Sequence, residues 1–273
     1  YSPERENPGD AQFNFKNTPK VVSGIGKNSL KICNNFYKLI TKKTVKSPSI
    51  KIAEMSKLLE NIYRSINIAL INELKIATTK LDIDIYDVIK IASTKPFGFQ
   101  KFFPGPGTGG HCIPIDPIYF SWLSKKKGVN VKFIELSSKI NQIRTKWIIK
   151  KLKTIAKKIS SPKILLLGLS YKKNIEDTRE SASIKILEDL LKQKYAIDYS
   201  DPFNQKIVLN YRKKRKVLFS KKFSKNVVKK YNLIIIATDH DKFDYSLLKS
   251  SNKTIVDLRG KFKNIKSRYI YQL

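Results

Sequence analysis

The chain reads as an α/β protein: an all-helical central region followed by a doubly wound, Rossmann-like parallel sheet. Three observations carry this expectation. From Ile52 to about Thr79 the sequence has no Gly or Pro, and its apolar residues recur at intervals of three and four, a helical period. Beyond Ser160-Ser161-Pro162, short runs of Ile, Leu and Val alternate with helical stretches, the pattern of parallel strands joined by crossover helices. Between them, residues 104–117 are too dense in Gly and Pro to be a helix or a central strand.

Each element follows in order. Residues 1–48 read as short extended pieces and loops, with a strand at Lys20-Val21-Val22-Ser23-Gly24-Ile25-Gly26 and a helix near Ser29 to Leu39. In residues 49–160, Met55, Leu58, Leu59, Ile62, Ile66, Ala69 and Leu70 are the apolar positions that recur at three and four residues along the long helix. A second helix starts at Asp84, with Asp87 as an acidic first-turn residue. The Gly/Pro loop runs from about Lys95 to Pro117, and helices follow at about Pro117 to Lys126 and Lys132 to Ile159. In residues 161–273, strands are expected at Lys163 to Gly168, Ala196 to Ser200, Leu233 to Ala237 and Ile255 to Leu258, with a helix over Glu180 to Lys192. Pro162 marks the boundary between the last two parts.

At 273 residues and 41% apolar content the chain can bury a sizeable core. Its longest apolar runs are far too short to span a bilayer, so no membrane insertion is expected. No signal-peptide pattern opens the chain, and Cys33 and Cys112 make no disulfide framework; a reduced, cytoplasmic setting is expected. Residue 1 is Tyr rather than Met, which reads as a processed or truncated end. The net charge of +33 invites a nucleic-acid reading, but lysine dominates it, with only eight arginines. The densest basic run, Arg212-Lys213-Lys214-Arg215-Lys216, sits in no recognisable nucleic-acid motif. Specific nucleic-acid binding is therefore not expected, while weak, salt-sensitive adherence to polyanions is. His111 and His240 are far apart and the cysteines isolated, which argues against a zinc site.

Cys112, at the end of the Gly/Pro loop, is the candidate nucleophile. An ordinary thiol is mostly protonated at neutral pH, so it needs a nearby cation or helix N-terminus. Lys57, Asn61 and Arg64 stand at i, i+4 and i+7, on one helix face, and offer donors to an oxyanion, sugar hydroxyls or a diphosphate; a solvated face is the alternative. Asp116 could orient a water or an amine, and the loop amides, including those at Gly105, Gly107 and Gly109, could approach a ligand closely. His111 precedes the nucleophile, but neighbours in a tight loop rarely address one atom, so it reads as structural or substrate-facing. Tyr171 and Lys172 follow the first strand of the second sheet, where doubly wound folds bind ligands. No strand–Gly-X-Gly-X-X-Gly–helix fingerprint for a dinucleotide is present.

Gly-Pro-Gly-X-Gly-Gly-His-Cys-Ile-Pro-X-Asp-Pro over residues 105–117, with Ser2-Pro3-Glu4-Arg5, Ala53-Glu54-Met55-Ser56-Lys57 and Asp177-Thr178-Arg179-Glu180-Ser181, resembles the UDP-glucose/GDP-mannose dehydrogenase family. Within it, the chain is most similar to the branch that oxidises UDP-N-acetylhexosamines. The resemblance implies an NAD-dependent oxidation of a sugar C6 alcohol to the uronate, in surface-polysaccharide precursor synthesis, with UDP-N-acetylglucosamine as the expected substrate. By resemblance, Cys112, Lys57, Asn61, Asp116 and Glu4 are catalytic, and Arg5, Arg64, Tyr171, Lys172 and Arg259 contact the nucleotide sugar. Arg179, with Cys112, faces NAD. The position of a second family glutamate is held here by Pro8, so that role is not carried over. The resemblance further implies a homodimer through the central helix, a C-terminal UDP-binding domain, and an N-terminal NAD-binding domain of which residues 1–48 are a remnant. An inactive UDP-sugar-binding or dimerisation remnant is the rival reading; a basic nucleic-acid-binding protein is the third.

Overall fold

A computed structural model describes residues 1–7, 12–211, 214–249, 251–265 and 267–273. Near the N-terminus, β1 (Lys20–Val22), α1 (Lys27–Lys38) and β2 (Thr44–Lys46) form a small βαβ unit whose two strands pair in parallel. The helical region follows: α2 (Ile50–Lys80), α3 (Ile85–Ala92), α4 (Asp116–Lys126) and α5 (Lys132–Ala156). Ser49 caps α2 by accepting from the Ile52 N–H at 3.2 Å, and Asp84 caps α3 through the Tyr86 N–H at 2.8 Å. At 1.5 Å per residue α2 is about 46 Å long. It packs along α5, and α4 packs against both. Polar residues fix this pairing: Asn72 donates to Asn141 Oδ1 at 2.9 Å inside the interface.

The second half contains β3 (Lys163–Leu167), α6 (Ala182–Lys192), β4 (Ala196–Ser200), β5 (Lys206–Tyr211), β6 (Lys214–Phe219), α7 (Lys225–Val228), β7 (Leu233–Ile236), α8 (Ser246–Lys249), β8 (Thr254–Asp257) and β9 (Ile270–Gln272). Five strands form one parallel sheet in the order β4-β3-β7-β8-β9. Alternate residues of each strand serve opposite layers, as the pleat requires. Ile164, Leu166, Leu233, Ile235 and Val256 meet α5 and α6, while Leu165, Leu167, Ile234, Ile236 and Ile255 meet Phe243, Tyr245, Leu248 and Phe262. Both faces are covered, so the strands read as continuous apolar runs. The strand order reverses between β3 and β7, which places a ligand-binding crevice beyond their carboxyl ends.

Helix α6 starts at Ala182 rather than Glu180. Glu180 has φ +51°, and the Ser181 side chain caps the helix through the Ser183 N–H at 3.2 Å. Helix α5 ends at Ala156, three residues before the expected Ile159. The antiparallel hairpin β5–β6 was not expected from the sequence, and it carries Lys214, Arg215 and Lys216 of the basic run. Arg212 and Lys213 of that run, like Pro8, lie outside the described residues. Among the described residues no helix is long and apolar enough to cross a membrane.

Candidate functional site

The Gly/Pro loop connects α3 to α4 and is pinned along its length. Gly105 donates its N–H to Asn72 Oδ1 at 3.0 Å and accepts from Arg144 Nε at 3.1 Å. Thr145 Oγ1 donates to the Pro106 carbonyl at 2.7 Å, and the Gly110 N–H donates to the Arg179 carbonyl at 2.9 Å. The carbonyl of Cys112 takes the Asp116 N–H at 2.8 Å, leading the chain straight into α4. The glycines are required by close approach. A Cβ on Gly109 would lie 2.4 Å from Tyr171 Cβ, and one on Gly107 would lie 2.6 Å from Thr145 Oγ1. This corrects the expectation for Gly105: its N–H is already taken by Asn72, so it shapes the loop and does not offer that amide to a ligand.

Cys112 is half-buried, and its Sγ lies 3.9 Å from His111 Nδ1, a long contact. His111 was set aside as a partner for the thiol on the sequence; the loop nevertheless turns the two side chains toward each other. Around this pair stand residues from three elements. The Tyr171 phenol is raised above its ordinary pKa, first by burial and then by Asp177; Arg64 and Arg179 oppose the rise, and Cys112 adds to it. Arg64, Arg179 and Cys112 are therefore each within electrostatic reach of Tyr171, and Cys112 of Arg179. On α2, Asn61 is buried and donates to Asp116 Oδ2 at 2.6 Å, joining the helix face to the N-terminus of α4. Lys57, one turn earlier, is half-buried. The Tyr1 phenol, raised by burial and then by Glu54 and Asp116, brings the N-terminal segment to the same place.

Glu4 and Arg5 are held differently. Glu4 Oε2 pairs with Lys20 Nζ at 3.1 Å, and its Oε1 accepts the Arg5 and Glu6 N–H groups at 2.8 and 3.1 Å. Partial burial works against the charge, but these partners outweigh it and keep the carboxyl below its ordinary pKa. A carboxylate so held is a weaker base. Arg5 Nη2 pairs with Glu60 at 2.8 Å and Nη1 donates to the Pro19 carbonyl at 3.0 Å, bracing the segment on α2.

The crevice at the β3/β7 switch point is also braced. Lys172 Nζ donates to Asn7 Oδ1 at 2.8 Å. Arg259 donates through Nε to the Ala237 carbonyl at 2.9 Å and through Nη2 to the Tyr171 carbonyl at 3.2 Å. Its Nη1 lies 3.0 Å from where a Cβ on Gly105 would sit, so the crevice abuts the Gly/Pro loop that carries Cys112. Sequence reasoning gave His240 no role. It is fully buried, its Nδ1 accepts the Asn174 N–H at 2.9 Å, and its Nε2 lies 3.2 Å from Asp201 Oδ2. An accepting Nδ1 puts the proton on Nε2, facing the carboxylate. His240 thus ties the loop after β3 to the loop after β7. A cleft of about 640 Å³ opens between α5 and α6, lined in part by Thr108, Pro114, Asn141, Thr145 and Lys185; Cys112 and Tyr171 do not line it.

For a dinucleotide the fit is poor. The junction most like a phosphate cradle is β1–Gly24-Ile25-Gly26–α1, but Ser29 stands at the third glycine position. Its Oγ already accepts the Gly26 N–H at 3.0 Å. Arg179 is engaged by Asp177, with Nη2 to Oδ2 at 2.6 Å and Nε to both oxygens at 3.0 Å. The described residues do not supply a dinucleotide cradle.

Comparison with known proteins places this architecture. Residues 51–143 match the model of the UDP-glucose/GDP-mannose dehydrogenase family central domain, and residues 165–264 match that family's UDP binding domain. The chain belongs to the UDP-glucose/GDP-mannose dehydrogenase family. It is 32% identical over 272 residues to the UDP-N-acetyl-D-mannosamine dehydrogenase of Methanococcus vannielii, covering 95% of this chain and 60% of the relative. It is 36% identical over 208 residues to the UDP-N-acetyl-D-glucosamine 6-dehydrogenase of Pseudomonas aeruginosa, covering 74% of this chain and 49% of the relative. The solved UDP-D-ManNAc dehydrogenase of Pyrococcus horikoshii superposes with a TM-score of 0.79 at 27% identity, over 99% of this chain and 63% of that one. The chain therefore spans less than two thirds of the length of these relatives.

Proposed function

We propose that this chain carries the nucleophile and the nucleotide-sugar site of a UDP-N-acetylhexosamine 6-dehydrogenase, with UDP-N-acetylglucosamine the preferred substrate. The observation that carries the reading is the meeting of Cys112, the Asn61–Asp116 pair, Arg64 and Tyr171 around one pinned loop, beside the crevice of a UDP binding domain. NAD is the hydride acceptor that the family resemblance implies. The chain's own residues account for the remaining chemistry. The Cys112 thiolate adds to the C6 aldehyde, forming a C–S bond while the carbonyl oxygen takes a proton, which gives a thiohemiacetal. At a thioester, water adds, the C–S bond breaks, and the uronate leaves with the thiol restored; the hydride acceptor needed to make that thioester is one the described residues do not cradle. Lys57 and Asn61 face the oxyanion of both additions, and Asp116, held by Asn61, orients the water. Covalent capture keeps the reactive aldehyde on the protein between the two oxidations.

Tyr171, Lys172 and Arg259 are assigned to the UDP part and Arg64 to the sugar side. Calorimetric titration with UDP-N-acetylglucosamine, UDP-N-acetylmannosamine and UDP-glucose tests this. The acetamido sugars are expected to bind more tightly, because a site that hydrogen-bonds the acetamido group is left with unpaired polar atoms by a plain hydroxyl. Absence of binding by all three would sink the proposal. Tighter binding of UDP-glucose would overturn the branch assignment.

A further inference from the structure

Next to Gly105 of the loop is a buried cluster that the dehydrogenase reading does not use. Arg144 of α5 is 0% exposed and lies against the Trp147 ring, 5.0 Å from its centroid. Its Nε holds the Gly105 carbonyl, but among the described residues Nη1 and Nη2 have no hydrogen-bond partner. The hydroxyl of Tyr86 on α3 is buried and equally unpartnered. Lys75 of α2 is 4% exposed, with its Nζ 5.8 Å from the Tyr86 ring centroid. On the α/β side, Lys263 Nζ lies 5.8 Å from the same ring, and Arg259 acts on the Tyr86 hydroxyl electrostatically.

Asp84 and Asp257 act on Lys75 from a distance, but among the described residues neither forms an ion pair with Lys75 or Arg144, because their oxygens are engaged by backbone N–H groups. Asp84 caps α3 through the Tyr86 N–H. Asp257 accepts the Arg259 N–H at 2.9 Å and the Phe262 N–H at 2.7 Å. A buried guanidinium needs both hydrogen-bond acceptors and countercharge. Water would supply acceptors without charge; a small anion supplies both. We propose that Arg144 Nη1 and Nη2, the Tyr86 hydroxyl and Lys75 hold a small inorganic anion of the halide class between α2, α3 and α5. The near-complete burial of all three side chains suits a monatomic ion rather than a phosphate ester. Burial lowers both Arg144, to a pKa of about 10, and Lys75, and a bound anion would oppose this. Because Arg144 also grips Gly105, the anion would stiffen the loop that carries Cys112.

Thermal melting at fixed ionic strength, with sodium bromide or chloride replacing sodium gluconate, is the test. A saturable rise of about 2–4 °C with halide is expected for the wild type. Arg144→Met, which keeps the apolar bulk and removes the charge, should abolish the rise. Tyr86→Phe, a milder change in case the first variant does not fold, should weaken the halide midpoint by about tenfold, the loss of one hydrogen bond to a charged group. Crystals grown in bromide should show an anomalous peak within hydrogen-bond distance of the Arg144 Nη atoms. A gluconate-identical melt, a halide rise unchanged in both variants, or a water at that position with no anomalous signal would overturn the proposal. None of these outcomes bears on the dehydrogenase reading.

Discussion

Cys112 has His111 Nδ1 at a long 3.9 Å, and positive charge from Arg64 and Arg179 within electrostatic reach of the neighbouring Tyr171. This arrangement suits the proposed role of Cys112 as the nucleophile that adds to the aldehyde. On the proposed mechanism, Cys112→Ser is expected to abolish uronate formation and leave UDP-sugar affinity within a few-fold, because binding is assigned to Tyr171, Lys172 and Arg259. Undiminished NADH production by that variant would exclude the mechanism. Lys57→Met should lower kcat by about 10²–10³, as loss of an oxyanion donor does, with little change in substrate affinity. The His240–Asp201 pair makes a pH prediction. Burial raises the Asp201 carboxyl, but hydrogen bonds from His240 and from the Leu169 and Phe203 N–H groups outweigh it, and the net shift is downward. A depressed carboxylate stabilises the fold fully above its unfolded pKa, about 3.9, and loses that contribution as pH falls through the folded value. Asp201→Asn should therefore cost about 1.5–3 kcal/mol at neutral pH, with the difference shrinking in acid. Urea unfolding across the carboxylate range reads this out, and a pH-independent difference would contradict it.

Among the elements, α2 does most to build the site. One face presents Asn61 to Asp116, while Ile52, Met55, Leu59, Leu70 and Leu74 remain exposed in the single chain. On α4, Ile118, Tyr119, Trp122 and Leu123 are exposed as well. So much uncovered apolar surface calls for a partner, and the proposed homodimer would bury it. Equilibrium sedimentation should show a dimer at micromolar concentration and dissociation in Leu70→Glu; a wild-type monomer would count against the proposal. Most of these elements could be read from the sequence. The long period of three and four gave α2, Asp84 gave the start of α3, and Ala196 to Ser200 form β4 as expected. The hairpin β5–β6 escaped because its lysines blur the alternation and no Asn-Gly or Asp-Gly pair stands between its strands to signal it. Three-residue strands such as β2 and β9 are set by their neighbours and leave little local pattern.

Across the whole molecule, the parallel sheet order sets a crevice at β3/β7, and Arg259 joins that crevice to the cysteine loop. The motif residues were legible, and of their expected meeting the structure joins Asn61 to Asp116 and brings Arg64, Arg179 and Cys112 within electrostatic reach of Tyr171. The functions of Gly105 and His240 were not, because both depend on partners distant in sequence: Asn72 and Arg144 for the first, Asn174 and Asp201 for the second. The charge of +33 should show itself as polyanion binding without sequence preference that weakens steeply with salt, measurable by fluorescence anisotropy on unrelated oligonucleotides. The central claim is that Cys112 captures a nucleotide-sugar aldehyde. It is tested most directly by offering the chain the 6-aldehyde of UDP-N-acetylglucosamine, alkylating the accessible thiols with a brief iodoacetamide pulse, and reading by peptide mass spectrometry which cysteine was protected. Protection of Cys112 that UDP competes away, with no protection of Cys33, is expected. Equal alkylation of Cys112 with and without the aldehyde, or protection of both cysteines alike, would overturn the reading.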